Sequence, residues 1–250
     1  MNLREIREEC WDIARETAIN DQDRLWSTRE MNRYINRVYR FIARETKCIR
    51  DAVTPSVCEL TSTVVDWTTL TPADGLNYTW ATTPSSWLYQ KDVAPYIYTL
   101  NPLIVQIDEV KWTTRQWKLT NVSVAKWQTN PWWEQVVGLP TEFALDYSNN
   151  TLALNFRSEE SDTMRLQVRR MPLVDLVADT DVPEFRTHYH DFMVNGVLAQ
   201  MYAKQDSQAF DAVKTLDFQA RFDKDVNEIK QQETIVMDRL RPNYSVQAFR

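Results

Sequence analysis

Glycine is nearly missing from this sequence: 250 residues contain three, Gly75, Gly138 and Gly196, all far apart. A backbone that cradles a phosphate or makes a strained nucleophile turn needs closely spaced glycines, because a Cβ would block the approach. Neither a P-loop nor a GxGxxG fingerprint can be written, which removes the commonest nucleotide sites. Histidine is scarcer still, with only His188 and His190. Two residues apart on a helix, they point to different faces and are poorly placed to share a metal. They read as surface or capping histidines. Neither Gly-x-Ser-x-Gly nor a catalytic cysteine signature accompanies them. Cys10, Cys48 and Cys58 are odd in number and lack CxxC spacing, so they read as buried, reduced thiols. No catalytic, cofactor-binding or metal-binding residue is therefore assigned, no cofactor is expected, and the chain reads as a non-enzyme.

Long apolar runs are missing too. Nothing approaches the roughly 18 residues of a membrane span. Met1–Arg7 opens with charge and not with a signal-peptide core, which points to a protein made and used without crossing a membrane. An excess of basic charge is also lacking: the net charge is −6, and residues 51–180 carry 9 basic against 15 acidic groups. A sequence-independent DNA binder draws its affinity from Lys and Arg on phosphates, so tight nucleic-acid binding is not expected. Paired carboxylates occur at Asp108-Glu109 and Glu159-Glu160, but any acidic chain offers such pairs. Glu159–Asp162 reads as a solvated hairpin turn between two alternating strands.

What the sequence does have is tryptophan, ten of them, eight between Trp67 and Trp133: Trp67, Trp80, Trp87, Trp112, Trp117, Trp127, Trp132 and Trp133. Core packing accounts for about half. The remainder fit protein interfaces, where Trp is enriched, better than a sugar-stacking module.

The chain divides by hydrophobic period. In residues 1–52, Leu3, Ile6, Cys10, Ile13 and Thr17 recur at helical spacing, and Asn20-Asp21-Gln22-Asp23 interrupts the pattern. Ser27-Thr28-Arg29-Glu30 then fits a capping box before Met31, Tyr34, Ile35, Val38, Phe41 and Ile42. The opposite face carries Arg29, Arg33, Arg37, Arg40 and Arg44, either a solvated stripe or a partner-binding face. From 53 to 180 the pattern is that of short strands: 57–66, 96–112, 117–127, 142–147, 151–157 and 163–170. Turns such as Pro72–Gly75, Asn101-Pro102 and Ser148–Asn150 separate them. An antiparallel sheet, sandwich or open barrel follows. Helix resumes at Val182-Pro183-Glu184 and runs to about Lys204, apolar on more than one face and so central. Asp206 then caps a long helix to about Asp238, carrying Phe210, Val213, Leu216, Ala220, Phe222, Val226 and Ile229. Pro242 stops it. The expected fold is α+β. Residues 1–52 form a helical hairpin on which helices of 181–238 pack, with Ile35, Val38 and Ile42 meeting residues such as Phe192 or Val213. Residues 53–180 form an inserted antiparallel β domain, and 239–250 form a C-terminal arm.

The order of elements and several short motifs resemble the head-to-tail adaptor (connector) proteins of tailed bacteriophages. Asp23-Arg24-Leu25-Trp26-Ser27, followed by a helix with Ile35-Asn36 and Ile42-Ala43, is similar to that family's opening. Tyr98-Thr99-Leu100 with Ile107–Trp112 resembles its central strand pair, although Asn101 stands where proline is common and Pro102 comes one place later. Gly138-Leu139-Pro140-Thr141 matches a turn before the next hairpin, and Val182-Pro183, Ala203-Lys204 and Asp206 fit its ending. The resemblance implies a structural virion protein at the head–tail junction, assembled in the host cytoplasm. It implies a homododecameric ring between the portal protein and the tail tube or nozzle, through which genome DNA passes without sequence-specific binding. It also implies that the C-terminal region engages the portal. There Arg239, Arg241, Tyr244, Phe249 and Arg250 supply the arginine and aromatic types that anchor interfaces. Arg33, Arg37, Arg40 and Arg44 are a possible second interface. Outside this family, the tryptophans and carboxylates would suit a tail-associated carbohydrate-binding or glycan-cleaving protein, and a scaffold of cellular origin is a third reading. Purified protein is expected to carry no stoichiometric zinc or nucleotide; elemental analysis or absorbance showing either overturns the non-enzyme reading.

Overall fold

The computed structural model describes residues 1–15, 24–62, 96–129, 136–145, 149–158, 160–205 and 210–240, with backbone alone for 237–240. Thr17, the break at 20–23, the turns at Pro72–Gly75 and Ser148, Glu159, Asp206 and Trp67, Trp80, Trp87, Trp132 and Trp133 lie outside the described residues. The fold is α+β. Two compact units are present, residues 1–50 with 169–250, and residues 51–168.

The helical unit begins with two capped helices. At α1 (Leu3–Ala14), Asn2 Oδ1 accepts from the Glu5 amide and Glu5 returns a bond to the Asn2 amide. Ser27 and Glu30 do the same at α2 (Thr28–Thr46), as the capping-box pattern predicts. Both helices end on a non-glycine residue in the left-handed region, Arg15 at φ 58° and Lys47 at φ 53°. In a chain with so little glycine, these C-caps cost about 1 kcal/mol each, which the helix-ending hydrogen bonds offset. The buried face of α1 is Leu3, Ile6, Arg7, Cys10 and Trp11. Ile13, expected on that face, is 45% exposed, because Trp11 rotates the covered arc away from it.

The C-terminal elements pack on these two. A 3-10 turn at Thr187–Tyr189 leads into α4 (His190–Tyr202), and α5 (Ala212–Leu240) follows. Helix α4 therefore starts six residues later than Pro183-Glu184 suggested. Glu184 is used elsewhere, paired with Arg170 at 2.6 Å and accepting from the Leu173 amide. Asp211 caps α5, its side chain accepting from the amides of Val213 and Lys214. Helix α4 is buried on several sides, by Met193, Val194, Val197, Leu198 and Met201, and packs against α1, α2 and α5. Ile35, Val38 and Ile42 join these residues, Phe222, Val226 and Ile229 in one core, with Phe192 against it. Val213 does not take part: it is 79% exposed, and the inward face of α5 begins later, at Phe218 and Phe222.

In the β unit, Pro55 opens a single helical turn, α3 (Pro55–Cys58), where strand was expected from Val57. The strands in chain order are β1 (Arg50–Asp51), β2 (Glu59–Ser62), β3 (Ile97–Thr99), β4 (Ile104–Trp112), β5 (Thr120–Asn121), β6 (Glu142–Leu145), β7 (Thr151–Leu154) and β8 (Asp162–Arg170). Strand β8 pairs antiparallel with β2, from Glu59↔Arg165 to Ser62↔Asp162, and also takes β4. A second sheet has the order β3-β7-β6-β5. Its β5–β6 pair is parallel, so this sheet is mixed where an antiparallel domain was expected. Strands β7 and β8 lie in different sheets, so the two do not pair as the hairpin that was expected. Tyr98 on β3 donates its buried hydroxyl to Ser62 on β2 at 2.8 Å, tying one sheet to the other. Asn101 accepts from the Leu103 amide and donates to the Ser56 carbonyl, two bonds that a proline side chain could not make.

Gly196 sits where α2, α4 and α5 meet. A Cβ there would lie 2.8 Å from Phe222 Cε2 and 3.0 Å from Val38 Cγ1. Gly196→Ala gains about 1 kcal/mol of helix propensity but meets an overpacking cost of about 1–3 kcal/mol. Because Phe222 and Val38 are both buried, the cost is expected to win by up to about 2 kcal/mol, seen as a lower urea midpoint. A raised midpoint would contradict this packing.

Candidate partner-binding face

The outward face of α2 brings Arg33, Arg37, Arg40 and Arg44 into one ridge, spaced four, three and four residues apart. All four line a groove of about 860 Å³ in the helical unit. Its floor is apolar and aromatic, with Tyr34, Phe41 and Phe222 contributing rings and Gly196 leaving room for them. Phe41 and Phe222 are 5.7 Å apart, and Phe41 is 37% exposed although its spacing placed it with the core. The sequence reading missed the groove because its other wall comes from Gly196, Gln200 and Gln219, more than 150 residues away in the chain. Of the other candidates, Arg239 lies on α5 but its side chain is outside the described residues, as are Arg241, Tyr244, Phe249 and Arg250.

The ridge is only partly neutralised. Arg40 meets Asp175 at 2.7 Å, and Arg44 meets Glu45 at 3.3 Å while lying over the Phe41 ring. Arg33 lies over Tyr34. Among the described residues, Arg33 and Arg37 have no carboxylate partner. Exposed pairs of this kind contribute about 0–1 kcal/mol, so the ridge adds little to folding. Arginines beside an exposed aromatic ring, here Phe41, are the composition that carries binding energy when a partner excludes water.

The motif residues do different work. Trp26 is buried and donates its indole N–H to the Met201 carbonyl at 2.9 Å, with its ring edge-on to Tyr202. Arg24 lies 3.8 Å over the Trp11 ring, and Lys204 donates to the Leu25 carbonyl and pairs with Glu30. The buried Asn36 side chain donates to the Leu176 carbonyl and accepts from the Leu176 amide, both at 2.8 Å. These bonds hold the helices together.

The remaining polar side chains also have structural occupations. His190 is buried, where expected at the surface, with Nε2 at 3.1 Å from the Phe185 carbonyl and Nδ1 at 2.9 Å from the Met1 nitrogen. Desolvation lowers its pKa from the ordinary value. Burial pushes the Glu109 carboxyl up, but hydrogen bonds from Lys111 and Lys118 outweigh it and hold the group below its usual range. Burial raises the Cys48 thiol to about 11, an inert thiol. Among the described residues, no three or more His, Cys, Asp or Glu side chains are grouped to hold a metal, and no helix is long and apolar enough to cross a membrane. Trp112 and Trp127 are buried, with Trp127 donating to Glu142, which leaves Trp117 as the exposed ring among the described tryptophans of the β unit.

The family model described as SU10 adaptor protein matches residues 1–243. No curated protein matches the chain.

The division of labour on α2 is measurable. Asn36→Leu leaves the buried Leu176 amide and carbonyl without partners and is expected to cost about 3 kcal/mol in chemical denaturation. Arg37→Ala, one residue on, is expected to change stability by no more than about 0.5 kcal/mol. Equal costs would make the ridge part of the fold and not a binding face.

Proposed function

The chain belongs to the SU10 adaptor protein family, and from that premise we propose that it is a structural virion protein of a tailed bacteriophage acting at the head–tail junction. In this reading its copies form a ring, typically of twelve, between the portal protein and the tail tube or nozzle, and genome DNA passes through the lumen. It works by contact and not by catalysis. The observation that carries the reading is the extent of the match, residues 1–243, over both the helical and the β unit.

The residue chemistry supports it. A lumen that lets DNA slide should not be strongly basic, and the chain carries −6. A subunit joined to several neighbours needs surface that costs the fold little and binds when water is excluded, which the arginine ridge and its aromatic groove supply. The sugar-binding reading has less to stand on, since two of the three described tryptophans of the β unit are buried.

We assign the portal contact to the arm that follows Leu240, with Arg241, Tyr244, Phe249 and Arg250, and Arg239 just before it. Pro242 cannot continue a helix, so the chain beyond it is free to run extended to another protein. Truncation after Leu240 leaves every described residue of the helical core in place, so a soluble subunit with an unchanged melting temperature is expected. That subunit should fail to join portal rings in a pull-down. Wild-type joining by the truncated chain would move the portal contact to Arg33, Arg37, Arg40 and Arg44.

A further inference from the structure

The outer face of α1 is the electrostatic counterpart of the α2 ridge. Glu5, Glu8, Glu9 and Asp12 are all exposed, and their spacing places them on the side of α1 opposite Leu3, Ile6 and Cys10. Glu5 is occupied by the cap and Glu8 by Arg4, but Glu9 and Asp12 have no cationic partner among the described residues. On the α2 ridge, Arg33 and Arg37 have no carboxylate partner among the described residues. The acidic face is about 10 Å long and the basic ridge about 16 Å, at the helical rise of 1.5 Å per residue. The apolar residues match as well. Ile13 stands four residues after Glu9 and is 45% exposed, while Phe41 stands four residues after Arg37 and is 37% exposed.

Both helices belong to one unit and turn these faces away from their shared core, so the two cannot neutralise each other within a single copy. We propose that the acidic face of α1 in one copy docks on the arginine ridge of α2 in the next, with Glu9 and Asp12 against Arg33 and Arg37 and Ile13 over the Phe41–Phe222 floor. The contact joins two different patches. Such a heterologous contact repeats from copy to copy and closes into a ring when its rotation allows. The inference deepens the proposed function and rests on the reading of the chain as a self-assembling subunit. A second copy suits the groove better than DNA does, because duplex DNA offers phosphates to the arginines but no aliphatic side chain for the aromatic floor, and α1 offers both.

Charge reversal tests this with the full chain. The double variants Arg33→Glu/Arg37→Glu and Glu9→Lys/Asp12→Lys each place like charges across the contact, and the quadruple variant restores opposite charges in inverted order. Native mass spectrometry and light scattering would count copies per assembly, free and on cognate portal rings. Each double variant is expected to assemble at least roughly tenfold more weakly than wild type, with circular dichroism and melting unchanged, and the quadruple variant should recover. Wild-type assembly should also weaken with added salt. Double variants that assemble like wild type, or a quadruple variant that does not recover, overturn the contact while leaving ring formation standing. A wild-type chain that stays monomeric both free and on portal rings overturns ring formation itself, and the contact with it.

Discussion

With Nδ2 donating to the Leu176 carbonyl and Oδ1 accepting from the Leu176 amide, the side chain of Asn36 closes a loop of 140 residues. Everything between them, including the whole β unit, is inserted between two segments that meet in the helical core. A buried amide that satisfies both backbone groups of one residue is sensitive to register, since a shift by a single residue leaves all of them unpaired. The same joint is reinforced by Arg7, which donates to Asn32 and pairs with Asp179, and by the Leu3 amide, which donates to the Asp181 carbonyl. Hydrophobic burial supplies the drive for the ends to meet, and these polar bonds decide how.

A second buried polar site fixes α5. The Glu233 carboxylate, 2% exposed, takes the Arg50 guanidinium at 2.8 Å, the Tyr189 hydroxyl at 3.3 Å and Arg186 at 3.7 Å. Desolvating such an ion costs several kcal/mol, so the cluster is weak evidence for net stability. Its consequence is specificity: a long helix whose inward residues Phe222, Val226 and Ile229 could slide along an apolar surface is held by one charge that tolerates a single position. Gly196 acts in the same direction by sterics, admitting the Phe222 ring only where the α4 backbone lacks a Cβ.

Local chemistry was legible in the sequence, and long-range geometry was legible only in part. The Ser27–Glu30 box, the arginine stripe and the apolar spacing of α2 are i, i+3 and i, i+4 relations that need no tertiary information, and they stand in the structure except at Phe41, which is exposed. The errors fall where a distant residue decides. Ile13 has the right spacing for the core, but Trp11 fills that arc. Helix α4 could have begun at Pro183, yet Arg170 claims Glu184 and the chain waits until His190. Val213 repeats with Phe210 and Leu216 at helical spacing, and all three are exposed because α4 covers the other side of α5. The parallel β5–β6 pair spans two residues, too short for any pattern to announce. The groove combined one visible wall, the arginines, with one that only the fold brings near.

Charge on this protein works at two ranges. Beyond the Debye length of about 8 Å at physiological salt, a polyanion such as DNA meets the average of the surface, which is acidic. Within that length it meets individual patches, and an open ridge of four arginines would hold phosphates whatever the net charge. If DNA passes through the ring, as proposed, the subunit has reason to keep that ridge covered. The acidic face of α1 is a suitable cover because it is carried in equal number, one for every ridge, by the same chain. Assembly by that contact would cover basic and acidic surface together, leaving the net charge at the sum of the copies but removing the open arginine ridge from reach of a phosphate backbone.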